Sequence, residues 1–339
     1  MGADESLKKN ILLVSILSCL LLVSACSNEE ESVTLQFGHA LPPDTEQAMK
    51  IDEMAEAVEE QTDGRVKFEI YPNSQLGSET EMLQQVDVGA MHGLAVMVGS
   101  MQTMDMRFAI EDLPYMWPDE QAARNAYDDE FGDYIADIAG EYGMHTAGYL
   151  EWGFRHVTNN EGPVVEPEDL QGMNIRVAET ALRVDTFEQV GALPTVMAFS
   201  EVYGALQQGA LDAQENPLAN IVAPRFNEVQ DYLSLTGHFY NTVMVVFDGE
   251  TWEEIGSEDQ GIITAEIDKI SKEVRDANDN TESEHIKFLA ENGMEVNDDV
   301  NKEAFRAAMM PVYEQWEEEE FGQEMMDMYR RNSGWEDDE

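Results

Sequence analysis

The sequence predicts an α/β protein built as two lobes with a cleft between them. Three observations carry that expectation. Apolar positions switch repeatedly between a period of two and helical spacing. This alternation occurs twice, once on each side of an aromatic-rich middle segment. A long apolar strand and one very long helix then follow, each suited to run between the lobes. The 339 residues suffice for two cores, and with 43% hydrophobic residues the chain is globular.

The elements follow in order. Val33, Leu35 and Phe37 alternate with Thr34 and Gln36, which is a strand. Ala48, Ile51, Ala55 and Val58 keep helical spacing, and Gly64 ends that helix. Val66, Phe68 and Ile70 alternate again and stop at Pro72. Ser78 and Glu81 have the spacing of a capping box that opens a helix running to Gly89. The apolar run from Leu94 to Val98 predicts a strand buried on both faces. This βαβαβ order gives a parallel sheet in the first lobe. A single helical segment is expected from Asp119 to Tyr142, followed by two strands, Met144 to Tyr149 and Phe154 to Thr158.

The second round begins with a strand from Asn174 to Val177 and a helix from Ala181 to Val190, closed by Gly191. A strand from Pro194 to Met197 follows. Ser200 then caps a helix that ends at Gly209, and Leu211 to Glu215 form the next strand. Phe239 to Phe247 is an apolar strand. Ile263, Ile267, Ile270, Val274 and Ala277 continue at helical spacing within a helix expected from Asp259 to about Glu291. An acidic amphipathic tail closes the chain.

Nineteen Lys plus Arg face 70 Asp plus Glu, for a net charge of -51 spread along the chain. Such a surface repels nucleic acid and anionic lipid, so no nucleic-acid partner is expected. Dispersed acidity suits a saline medium, where a Debye length of roughly 3 Å at 1 M salt screens self-repulsion. At the amino terminus Lys8 and Lys9 precede an apolar run from Ile11 to Val23, which is too short to span a membrane comfortably. Ser24, Ala25 and Cys26 follow it, so residues 1–26 read as a secretory signal. Cys19 lies within the apolar run, so the exported chain is expected to hold no disulfide.

Arg176 stands inside the apolar string Asn174-Ile175-Arg176-Val177-Ala178. A buried guanidinium requires a carboxylate, either the protein's own or a ligand's. Its planar fork grips a ligand carboxylate bidentately. No catalytic constellation accompanies it. The sequence lacks G-x-S-x-G, H-E-x-x-H, a P-loop and G-x-G-x-x-G, and the six His are scattered. Neither an enzyme nor a metal or cofactor site is expected.

The chain resembles the solute-binding proteins of TRAP transporters, the tripartite ATP-independent periplasmic systems, of the dicarboxylate-binding type. The matching strings are F-G-H-A-L-P-P-D-T at 37–45, Y-P-N-S-Q-L-G-S-E at 71–79, D-L-P-Y at 112–115 and G-F-R-H-V-T-N at 153–159. They continue with P-E-D-L-Q-G-M-N-I-R-V at 167–177, A-F-S-E-V-Y-G-A-L-Q at 198–207, D-A-Q-E-N-P at 212–217 and E-V-Q-D-Y-L-S-L-T at 228–236. Their order over nearly the whole chain carries the resemblance.

It implies a two-lobed Venus-flytrap receptor, of the periplasmic-binding-protein fold, that closes on an organic acid anion. The receptor hands this anion to TRAP membrane subunits, one small and one large. The resemblance makes Arg176 the partner of the ligand carboxylate, with Arg155, Asn216 and Phe199 beside it. Glu79 and His39 would face the cleft from the first lobe. Trp152 stands where members often carry a smaller polar residue, and it can stack on the ligand. The ligand is a C4-dicarboxylate, a hydroxy or oxo acid, or a uronate. Cys26 after Val-Ser-Ala resembles a lipobox, which implies an extracytoplasmic chain held to the membrane by a lipid alone. The implied lobes are 33–152 plus 241–281 and 153–240 plus 282–335, with a long helix between them. A secreted enzyme on the same frame and a ligand-sensing receptor subunit are the competing readings.

Overall fold

The computed structural model describes residues 32–334. The expected secretory signal, Cys19 and Cys26 lie outside the described residues.

The first half is built from β1 (Val33–His39), α1 (Glu46–Gln61), β2 (Val66–Tyr71), α2 (Glu79–Asp87) and β3 (Gly93–Met97). Strands β1 and β2 pair in parallel, as do β1 and β3, so the expected parallel unit forms. The capping box is present: Ser78 accepts from the Glu81 amide and Glu81 reaches back to the Ser78 amide. Two helices follow, α3 (Glu120–Tyr127) and α4 (Glu130–Glu141), where one was expected. The break falls at Asp128 and Asp129. Aspartate has low helix propensity. Here Asp129 makes no side-chain cap bond, and the Asp128 carboxylate pairs with Arg275.

The expected pair of strands is instead one 16-residue strand, β4 (Met144–Asn159). Register shifts at Thr146/Gly148 and Glu151/Gly153 interrupt its period of two, so the apolar pattern reads as two pieces. Next come β5 (Asn174–Val177), α5 (Ala181–Gln189), β6 (Leu193–Val196), α6 (Phe199–Gln207), β7 (Ala213–Pro217), α7 (Leu218–Val222) and β8 (Tyr232–Ser234). Ser200 lies inside α6 and does not cap it; the cap position is Ala198, without a side-chain bond. The remaining elements are β9 (Tyr240–Asp248), α8 (Gly249–Glu254), α9 (Ser257–Glu291), β10 (Glu295–Asn297), α10 (Lys302–Met309), α11 (Pro311–Trp316) and α12 (Gly322–Asn332).

The strand order is β2-β1-β3-β9-β4-β7-β5-β6, with β8 also beside β4 and β10 beside β8. Strand β4 belongs to both halves of this surface. It pairs antiparallel with β9 from Met144 to Phe154 and with β7 from Arg155 to Asn159. In the first half, alternate residues feed two cores. Ala95, Val243, Val245 and Phe247 pack with α1 and the start of α9, through Ile51, Val58, Ile263 and Ile267. Leu94, Val96, Met244 and Val246 pack on the opposite face with Met82, Phe108, Phe131 and Ile135. Burial on both faces explains the unbroken apolar runs of β3 and β9.

Helix α9 is 35 residues long, about 52 Å at 1.5 Å per residue. Its first turns sit on the first sheet, while Leu289 near its end joins a separate cluster with Val202, Leu206, Phe226 and Leu233. The carboxyl-terminal helices, grouped by the sequence reading with the second lobe, cross back. Val312, Trp316, Met325 and Tyr329 share the buried cluster of Phe108, Trp117 and Phe131.

Candidate functional site

A cavity with about 530 Å³ of empty space, part of it open to solvent, lies where the two halves meet. The first half contributes Ala40, Ser74, Ser78, Glu79, Met97 and Ser100. Strand β4 contributes Trp152 and Arg155 from the stretch where its pairing changes partner. The second half supplies Arg176, Ala178, Glu179, Ala198, Phe199 and Asn216. Six of the seven residues expected at a ligand site therefore meet in one wall.

Arg176 sits in β5 between β6 and β7, so its side chain must leave the sheet face. It is almost fully buried. Its Nε and Nη2 donate to one acceptor, the Met197 carbonyl, at 2.9 and 2.6 Å. Its Cζ is 6.0 Å from the centre of the Phe199 ring. Among the described residues, no carboxylate lies within the 4.0 Å of a salt bridge. Burial pulls its pKa down to about 9, as expected for a cation removed from water without a counter-ion.

Arg155 differs. Its Nη2 donates to Glu215 Oε1 at 2.9 Å, to the Glu215 carbonyl at 2.7 Å and to Asn216 Oδ1 at 3.0 Å, and its Nε donates to Glu215 Oε2. The protein answers this guanidinium itself. Arg183 on α5 lies beneath the cavity and is wholly buried. It donates to Asp112 Oδ1 at 2.7 Å and to Asn241 Oδ1 at 2.6 Å, and its Nη1 lies 3.3 Å from Glu215. Burial opposes the Glu215 carboxylate, yet Arg155 and Arg183 together hold it far below the usual range. Next to Asp112, burial and that neighbouring charge push Glu111 up to about 8.

Sequence reasoning passed over Arg183, Glu215 and Asp112. The signals were present: Arg183 follows Ala181 and Leu182 in an apolar helix, and the other two stand inside the strings at 212–217 and 112–115.

Glu79 faces the cavity from the first residue of α2. Its Oε1 accepts from the Met97 amide at 3.2 Å and its Oε2 from Ser100 Oγ at 2.8 Å. Burial raises its pKa against these two bonds. Trp152 Nε1 donates to Asn220 Oδ1 at 2.7 Å, which fixes its ring in the wall. Glu179 is engaged by Thr80 Oγ1 at 2.8 Å, a contact between the two halves.

His39 does not reach the cavity wall; its neighbour Ala40 does. It ends β1, paired with Ala95, and is buried beneath. Burial holds its pKa down to about 4, and burial likewise lowers His156 to about 3. Both imidazoles are neutral in the fold and gain a proton on unfolding below their usual pKa. Their contribution is thus present above about pH 6.5 and is lost as pH falls towards 4. Urea unfolding between pH 7 and 4.5 is expected to show a shallower loss of stability in His39→Gln than in the parent. Equal slopes would remove His39 as a source.

An unmatched buried arginine in a cavity between two α/β halves defines a binding protein that encloses a small anion. The chain belongs to the family of bacterial extracellular solute-binding proteins, family 7 (DctP), whose model matches residues 37–320. It is a solute-binding protein of the TRAP type. It is 31% identical over 297 residues to a solute-binding protein of Verminephrobacter eiseniae, covering 88% of each chain. It is 30% identical over 299 residues to the sialic acid-binding periplasmic protein of Vibrio cholerae, covering 88% of this chain and 92% of that one. The structure of a TRAP periplasmic solute-binding protein from Polaromonas, bound to D-erythronate, superposes with a TM-score of 0.85 at 29% identity. It covers 91% of this chain and 100% of that one.

Proposed function

We propose that this protein captures an organic acid by pairing its carboxylate with Arg176, and delivers it to the small and large membrane subunits of a TRAP carrier. The observation that supports this is the buried guanidinium with no carboxylate of its own. The sialic acid and D-erythronate of the similar proteins are both carboxylates. In this reading Arg155, held by Glu215 and donating directly to Asn216 Oδ1, forms with Asn216 the floor of the carboxylate pocket. Phe199 and Trp152 form its apolar sides, and Glu79 closes it from the first half. The halves move about the segment where β4 changes its pairing, near Gly153 and Phe154. The testing experiment is a thermal-shift screen over organic acids on the parent and Arg176→Lys chains. A ligand at 100 times its Kd adds about 2.7 kcal/mol.

The chain carries a secretory signal over residues 1–26 and is anchored through a lipid on Cys26, in a saline medium that screens its charge of -51. Among the described residues no helix is long and apolar enough to cross a membrane. The Cys26→Ser chain is expected to leave the membrane fraction for the soluble one. Retention on membranes would sink the lipid anchor.

A further inference from the structure

We propose that the cavity selects a monocarboxylate bearing a hydroxyl at its far end, and discriminates against the dicarboxylate of the same length and configuration. This rests on the reading of Arg176 as the carboxylate partner and narrows its ligand class.

The charges on the wall carry the argument. Four ionisable side chains line the cavity: Arg155, Arg176, Glu79 and Glu179. Arg155 is neutralised from below by Glu215, and the nearby Arg183 is neutralised by Asp112. One cation, Arg176, therefore remains for a ligand, and one ligand carboxylate satisfies it.

The first half offers a second carboxylate no welcome. Its contributions are Ala40, Ser74, Ser78, Met97, Ser100 and the anion Glu79. A ligand anion arriving there meets Glu79 in a partly desolvated space, where like charges repel strongly and one must take up a proton. The amino end of α2 would otherwise favour an anion. It is already served by Ser78, Glu79 and Glu81.

A hydroxyl fits where the carboxylate does not. Each Glu79 oxygen accepts one bond from the protein, from Met97 or Ser100, and retains a further lone pair for a donor. The hydrogen bond of a hydroxyl to an ionised carboxylate is about twice as strong as a neutral one. The hydroxyls of Ser74 and Ser78 on the same wall can donate or accept, which suits a hydroxylated chain. Discrimination thus comes from attraction at one end and an unpaired charge raised against the competitor at the other.

The test uses pairs that differ only at the terminal carbon: erythronate against meso-tartrate, and gluconate against glucarate. Each is titrated by calorimetry into the parent and into Glu79→Gln. In the parent the hydroxy-terminated acid of the binding pair is expected to be favoured by about tenfold or more. In Glu79→Gln that ratio is expected to collapse or invert, because the amide presents no charge to the second carboxylate. Thermal unfolding without ligand checks that the variant folds, and if it does not, the parent ratio decides alone. A dicarboxylate bound as well as its partner overturns the selectivity and leaves Arg176 standing. If none of the four binds while an acid without a terminal hydroxyl stabilises the protein in the thermal-shift screen, the selectivity falls and the organic-acid reading stands. If no acid of that screen binds, both fall. A parent preference that Glu79→Gln leaves untouched overturns the role of Glu79.

Discussion

Arg176→Lys is expected to weaken capture of the organic acid by about 2–5 kcal/mol. The guanidinium is fixed along one edge by the Met197 carbonyl, at 2.9 and 2.6 Å, and that fixation aims the rest of the fork. An ammonium on a flexible stem cannot hold both the carbonyl and two carboxylate oxygens. Calorimetry with an acid that stabilises the parent protein measures the loss, and an unchanged Kd would remove Arg176 from the site. Arg176→Met, which removes the charge altogether, should unfold no more easily than the parent in the absence of ligand. A buried cation without a counter-ion is a cost that the empty protein bears for the sake of binding.

Arg183→Met is expected to act the other way, through the fold. Arg183 is wholly buried and pairs with Asp112, with Glu215 beside it. Its removal strands Asp112 in the interior and weakens the hold on Glu215, so a loss of about 3–5 kcal/mol is expected in urea unfolding. Asp112→Leu in the same chain should recover part of that loss, since two charges removed together leave nothing uncompensated. A single variant as stable as the parent would mean that water or another group serves Asp112.

Much of this architecture was legible because local chemistry and tertiary packing agree. The Ser78–Glu81 box, the buried run of β3 and the helical spacing of α9 each survive as read. The misreadings fall where an aperiodic feature intervenes. Two bulges divide β4, adjacent aspartates divide the helical segment before it, and α6 opens one residue ahead of its serine. In the site, Arg176 was visible as a cation in an apolar string. Its partnerless state was not, because that depends on which carboxylates other strands bring near. The same blindness applies to Arg155, whose counter-ion Glu215 stands on a strand that only register places opposite. His39 lies one residue from the cavity wall, too fine a distinction for a motif to make.

The route of the chain through its first sheet sets the order in which the protein can be completed. Strand β3 ends at Met97, and its neighbour β9 does not begin until Tyr240. Between them the chain builds nearly all of the second half. During synthesis or export from the amino terminus, the edge of β3 therefore stays open until residues 240–248 arrive. Only then can β4 acquire the partner that ties the halves together. Contacts so distant in sequence close slowly. A nascent chain of this topology remains unfinished, and hence threadable, for most of its passage.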